Sequence, residues 1–199
     1  MKLMRSLLLI VCVAIMSGCS SNLMSPSMAN ISQETLDDNT ACVIFYRSSS
    51  LGGAIQAPIV EYIDEDVKFI GISSYNKKIR FITTPGEHIF VVGGESGSVL
   101  KADIAPKMNY YVRVSPYMGW AKARFDLKAV KFDELNDNKV KEKISKCVLV
   151  APNDKAEIWF EKNKRSMKEK TVLGLEKFEG RKDKSQFILN QEDGIPSLY

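Results

Sequence analysis

From Ala121 to Ala129, apolar and polar residues alternate without a break. Ala121, Ala123, Phe125, Leu127 and Ala129 fall on one side; Lys122, Arg124, Asp126 and Lys128 fall on the other. Successive side chains of a strand point to opposite faces, so this run has one dry face and one wet face. The same residues wound into a helix would have no continuous apolar stripe. The period of two recurs upstream, at residues 58–64, 67–72, 78–84, 88–92, 99–104 and 108–114. Residues 41–46 are apolar throughout, as in a central strand buried on both faces. Pro85-Gly86 and the acidic run Asp64-Glu65-Asp66 mark turns between these segments. Eight short strands with frequent turns predict a mainly β fold, an antiparallel β-sandwich over residues 41–150.

Beyond Phe132 the period changes. Residues 133–146 can form a short helix with Leu135, Val140 and Ile144 inward, followed by a short strand at 147–150. Pro152-Asn153-Asp154 opens a longer helix running to about Gly180. Its apolar residues bunch at the ends, around Trp159 and Phe160 and again around Leu175 and Phe178, with Met167 alone between them. That pattern predicts a helical extension over 151–199 docked by its ends only, with residues 190–199 loosely held.

The amino-terminal segment reads as an address. Lys2 and Arg5 precede an apolar run at 7–16, which as a helix would rise only about 15 Å, half a bilayer core. It suits a cleaved leader over residues 1–18. Met16-Ser17-Gly18-Cys19 looks like a bacterial lipobox, which makes Cys19 the lipidation site and the lipid the link to a membrane. The alternative is an ordinary cleaved signal with a chance cysteine. Ser20, in place of an Asp, implies an outer-membrane lipoprotein facing the periplasm. Residues 19–40, rich in Ser and Asn, read as a flexible tether.

Three further stretches carry a resemblance: Val43-Ile44-Phe45-Tyr46-Arg47, Thr84-Pro85-Gly86-Glu87-His88, and Asn109-Tyr110-Tyr111-Val112-Arg113-Val114. Together they resemble a bacterial lipoprotein family catalogued as domain of unknown function 2846. That family is related in pattern to the PEGA domain, a small surface β-sandwich. The resemblance spans about residues 41–150, and the stretch 159–194 is similar to the tail of longer members. It implies a sandwich in the cell envelope and supplies no catalytic residues. Asp64-Glu65-Asp66 departs from the Asp-Gly turn common in such domains.

Composition narrows the chemistry. Lys and Arg number 28 against 24 Asp and Glu, a net charge of +4, which argues against a nucleic-acid binder. One His and four Cys leave little for a transition-metal site, and no cofactor is implied. Cys12 leaves with the leader, so Cys42 and Cys147 remain as a disulfide candidate, the alternative being two buried thiols. His88 is the one residue suited to general-base work, but Glu87 beside it points to the other strand face. Asp64, Glu65 and Asp66 could attract calcium, although consecutive side chains do not converge on one ion. Gly93-Gly94-Glu95-Ser96-Gly97 lacks the Lys-Ser/Thr of a phosphate loop and reads as a flexible connection.

The remaining candidates are surfaces. Lys77, Lys78 and Arg80 form the densest basic patch, facing either anionic lipid phosphates or plain solvent. Tyr111, Tyr117 and Trp120 are rings that could stack on a sugar, whereas the alternation turns Tyr110 inward. The expectation is a non-enzymatic envelope module that binds a protein or glycan partner. The alternatives are an architectural envelope protein without a ligand and, ranked last, a hydrolase acting through His88.

Overall fold

A computed structural model of the chain describes residues 23–27, 36–119 and 123–196. The alternating segments are strands, within a few residues of where their period places them. They are β2 (Ala41–Arg47), β3 (Ala57–Ile63), β4 (Asp66–Ser73), β5 (Lys77–Thr83), β6 (Gly86–Val92), β7 (Ser98–Ile104), β8 (Met108–Met118) and β9 (Ala123–Ala129). Short additional strands are β1 (Met24–Pro26), β10 (Val148–Pro152), β11 (Ile188–Leu189) and β12 (Ile195–Pro196). Two helices, α1 (Asn138–Lys146) and α2 (Asp154–Glu179), follow the sandwich strands.

The strands form two sheets. One has seven strands in the order β1-β10-β5-β2-β8-β12, with β9 also on β8; the other runs β11-β7-β6-β3-β4. Most pairings are antiparallel, as alternation with polar outer faces requires. Three are parallel: β2 with β8, β10 with β5, and β11 with β7. Each joins strands far apart in sequence, which no hairpin can do.

The inner faces meet in one core. Phe45, Ile59, Phe90, Leu100, Val112, Phe125 and Leu127 are all buried there, and Phe45 meets Phe90 edge to face at 5.3 Å. Each such side chain contributes about 1.5–3 kcal/mol by leaving water. A second cluster lies on the outer face of the five-stranded sheet. Val60, Val67, Val91 and Val99 meet Phe160, Met167 and Phe178 of α2, and Phe69 stacks on Phe160 at 4.7 Å. A third, around Tyr46, Val130, Leu135 and Cys147, sits beneath α1.

α2 starts where Pro152-Asn153-Asp154 says it should. The Asn153 side chain accepts from the Lys155 and Ala156 amides, satisfying donors that a helix start leaves open. Its docking differs from the expectation, because Met167 in the polar middle is buried as firmly as Phe160 and Phe178. Glycines make this contact close. A Cβ on Gly97 would clash with the Lys170 carbonyl, and one on Gly174 would lie 2.9 Å from the Gly97 carbonyl. Within the Gly-rich run 93–97, Gly97 is therefore the point where the α2 backbone packs closely.

Two boundaries are corrected, and a third is refined. β1 pairs with β10 and buries Leu23 and Met24, so residues 23–27 belong to the sheet and not to a free tether. Residues 190–196 are tied to the fold, and 197–199 lie outside the described residues. Asn190 and Asp193 form a reciprocal capping box, β12 joins β8, and Gly194 lies against the Tyr110 ring. Finally, the helical extension is present as expected, and its boundary is sharpened by β11 and β12, which return to the sandwich and each end one of the two sheets.

The β3–β4 hairpin is tight without glycine. Ile63 pairs with Asp66, and the two residues between them, Asp64 and Glu65, both adopt positive φ (49° and 58°). That is the mirror-image turn matching the twist of paired strands, made here from residues that pay about 1–2 kcal/mol each for the left-handed region.

Candidate functional site

β2 is buried along its whole length, and its last residue is Arg47. Period two puts Arg47 on the same face as Val43 and Phe45, so its guanidinium enters one end of the sandwich interior. It lies 4.9 Å over the Phe125 ring. It donates through Nη1 to the Ile55 carbonyl at 2.7 Å, and through Nη2 to the carbonyls of Leu51 and Gly52 at 3.0 and 2.7 Å. Burial pulls its pKa below the usual guanidinium value. Among the described residues no carboxylate faces this charge, and Nε has no partner. Neutral carbonyl dipoles and a ring face carry the whole cost of burying it.

The effect of that arrangement is a fixed loop. Residues 48–56 fold around Arg47, with Gly52 at φ +61°, Gly53 N–H bonded to Ser50 O and Ile55 N–H to Gly52 O. The loop turns apolar side chains outward, leaving Leu51 and Ile55 nearly half exposed. Across from it the end of β8 exposes Tyr117 and Met118. Exposed apolar groups gathered at one place mark a binding surface more often than single ones do.

Between these rims lies a cleft of about 680 Å³. Phe125, Pro58 and Gly93 line it on the sandwich side, and Trp159, Phe160 and Met167 form the wall given by α2. Its charged lining residues are Glu95 and Lys170. Glu95 accepts from Arg124 Nε at 2.8 Å, and Lys170 donates to the Gly94 carbonyl at 2.9 Å. The geometry suits binding an apolar group, and volumes of about 300–1,000 Å³ are those of small-molecule sites.

At the opposite end of the interior sits a second buried basic side chain, His88. Its Nδ1 lies 2.6 Å from Glu61 Oε1 and its Nε2 lies 2.8 Å from the Thr84 carbonyl, with the ring stacked on Phe90. Both side chains are almost wholly buried. Burial pulls His88 down, but its hydrogen bonds to Glu61 and Thr84 outweigh this and raise the pKa above 6.5. An imidazolium donating from both nitrogens fits these acceptors. With both nitrogens engaged, the ring offers no free lone pair to a substrate, which removes the geometry a general base needs. The partner is Glu61, distant in sequence, and not the adjacent Glu87.

The other sequence candidates scatter. Tyr117 stands at the cleft rim, and Trp120 and Cys19 lie outside the described residues. Tyr111 is packed on the outer face of the seven-stranded sheet between Ile44, Cys42 and the α1 cluster, and burial raises its pKa. The basic patch does not form, because the pleat sends Lys77 to the face opposite Lys78 and Arg80. Lys78 Nζ donates to the Ile144 carbonyl of α1, and burial lowers its pKa.

The disulfide is also absent. Cys42 and Cys147 are free and buried. β5 lies between β2 and β10, and Cys42 starts β2 whereas Cys147 precedes the Val148 that is level with its far end. Five residues of strand separate those levels, roughly 16 Å, well beyond disulfide reach. Asp66 bonds Lys164 at 2.7 Å, while Asp64 and Glu65 stay exposed on their turn. Among the described residues, no group of His, Cys, Asp and Glu is placed to hold a metal ion.

Sequence reasoning missed Arg47 and the cleft. The available signal was a charge closing an otherwise apolar strand, followed by the Gly-rich Leu51-Gly52-Gly53. Comparison with known proteins adds nothing to this geometry: no family model, no curated protein and no solved structure matches the chain.

Proposed function

We propose that this chain is a lipid-anchored bacterial envelope protein whose sandwich works as a non-enzymatic binding module, with the cleft beside Arg47 as its binding site. One observation carries the reading: a fully buried arginine is spent on holding a loop so that Leu51 and Ile55 face outward over an apolar cavity. Exposed apolar side chains gathered at the rim of a cavity mark a binding surface more often than scattered ones do. The lipobox-like Met16-Ser17-Gly18-Cys19 supports the envelope placement. The resemblance to domain of unknown function 2846 supports it too. Two of its three stretches lie side by side in the parallel β2–β8 pair, from Val43 beside Tyr110 to Tyr46 beside Arg113.

Two measurements test the proposal. Intact mass of the processed protein from its host is expected to show an acylated Cys19. A bare or uncut amino terminus would refute the anchor. Photo-crosslinking probes at Leu51 and Met118 in living cells are expected to capture an envelope component that a probe at Val148, exposed elsewhere on the fold, does not capture. Equal, partner-free behaviour at all three positions would favour a purely architectural role.

A further inference from the structure

The charges around the cleft do not cancel. Lys170 lines it and donates to a neutral carbonyl. Arg47 lies directly behind the wall formed by Leu51, Gly52, Ile55 and Phe125, held by carbonyls and a ring face. The one carboxylate on the lining, Glu95, is engaged by Arg124. Two cations therefore border an apolar cavity with no carboxylate among the described residues set against them. A neutral apolar occupant would leave that excess unanswered in a low-dielectric site. A glycan would set many of its hydroxyls against the apolar majority of the lining, such as Leu51, Met118 and Phe125. A protein surface spreads over about 800 Å² per partner, more than this enclosed space offers.

We propose that the cleft takes a single-chain amphiphile with one anionic head group, its chain against the apolar lining and its head at Lys170. This rests on the reading of the cleft as a binding site, and it names the ligand class. Chain burial supplies most of the affinity. The ammonium fixes orientation and selects acid over alcohol. A carboxylate head and a phosphate monoester head satisfy the same chemistry.

The test uses the full-length chain held in amphipol and three long-chain photoprobes with the same diazirine-bearing tail. Their heads are a carboxylate, a phosphate monoester and a neutral alcohol. The expected result is labelling by at least one acid on peptides containing residues 51–56 or 159–170, with the alcohol weaker by about tenfold, the scale of one charge-assisted hydrogen bond. The relative labelling of the two acids identifies the preferred head. Lys170→Met is expected to reduce acid labelling to the alcohol's level, and Lys170→Arg to restore it. Leu51→Asp, at an exposed position, is expected to remove labelling by all three while leaving the circular dichroism unchanged. Equal labelling by acid and alcohol, labelling mapped elsewhere, or a Lys170→Met protein that labels like wild type would overturn the proposal. Capture of a glycan or polypeptide at the cleft in cells, with no acid labelling, would overturn it too and leave the binding reading standing. Failure of every capture at the cleft would overturn both.

Discussion

Each end of the sandwich interior buries a basic side chain, and the two are held in different ways. His88 is matched by the Glu61 carboxylate and a carbonyl, so the pair compensates itself whichever atom holds the proton. Arg47 meets carbonyls and a ring, so its charge persists and its hydrogen bonds shape a loop that opens onto a cleft. The comparison teaches that burial alone does not mark function. A compensated charge is compatible with a purely structural role, whereas an uncompensated one beside a cavity leaves something for a ligand to satisfy.

The largest expected effect comes from breaking the compensated end. His88→Leu strands the Glu61 carboxylate, with Lys68 Nζ at 3.9 Å as its remaining partner, and is expected to cost about 3 kcal/mol in urea unfolding. Replacing both residues, Glu61→Leu with His88→Phe, is expected to recover most of that loss, because the desolvation penalty disappears with the pair. A double variant as unstable as the single one would show that the pair itself holds the end together.

Arg47→Met ranks next, at about 2 kcal/mol, since it orphans three carbonyls but also removes a costly buried charge. Its signature is local. Amide exchange at Gly53 and Ile55, whose turn bonds depend on the loop, is expected to accelerate more than exchange in β6. Uniform acceleration would mean that the arginine supports the core and not the loop.

A smaller effect follows from pH. The folded pKa of His88 is raised above the ordinary 6.5, so protons bind the native state more tightly than the unfolded chain. The stabilisation is complete below about pH 6.5 and is lost as pH rises through the folded pKa. Wild-type Tm is expected to fall over that window relative to the Glu61→Leu, His88→Phe variant. Parallel curves would assign the pH response to other groups.

The smallest change is a gain. Glu65→Gly relieves one left-handed residue in the β3–β4 turn, and is expected to stabilise by about 0.5–1 kcal/mol after the entropy cost of glycine.

Much of the fold was legible because strand period is local. Seven of the eight main strands follow from alternation and β2 from its unbroken apolar run, and α2 follows from Pro152-Asn153-Asp154. β8 runs four residues further than expected, since Pro116 reads as a break but sits in the strand opposite Phe125. β1, β11 and β12 were illegible because two or three residues carry no period. Met167 looks too isolated in sequence to dock a helix, and Gly93, whose missing side chain leaves room for its sulfur, helps explain why it does. The site was harder still. Glu61 and His88 are 27 residues apart, and no spacing rule joins them. Tyr117 was found for its ring, whereas Arg47 was quoted only as a strand end.

The late strands β10, β11 and β12 set a timetable for synthesis. β5 gains its second neighbour only when Val148 emerges, β7 only with Ile188, and β8 has its short β12 contact only with Ile195. Until Pro196 has been made, the nascent chain exposes strand rims that other copies could join, so its vulnerable interval lasts until β12 is in place.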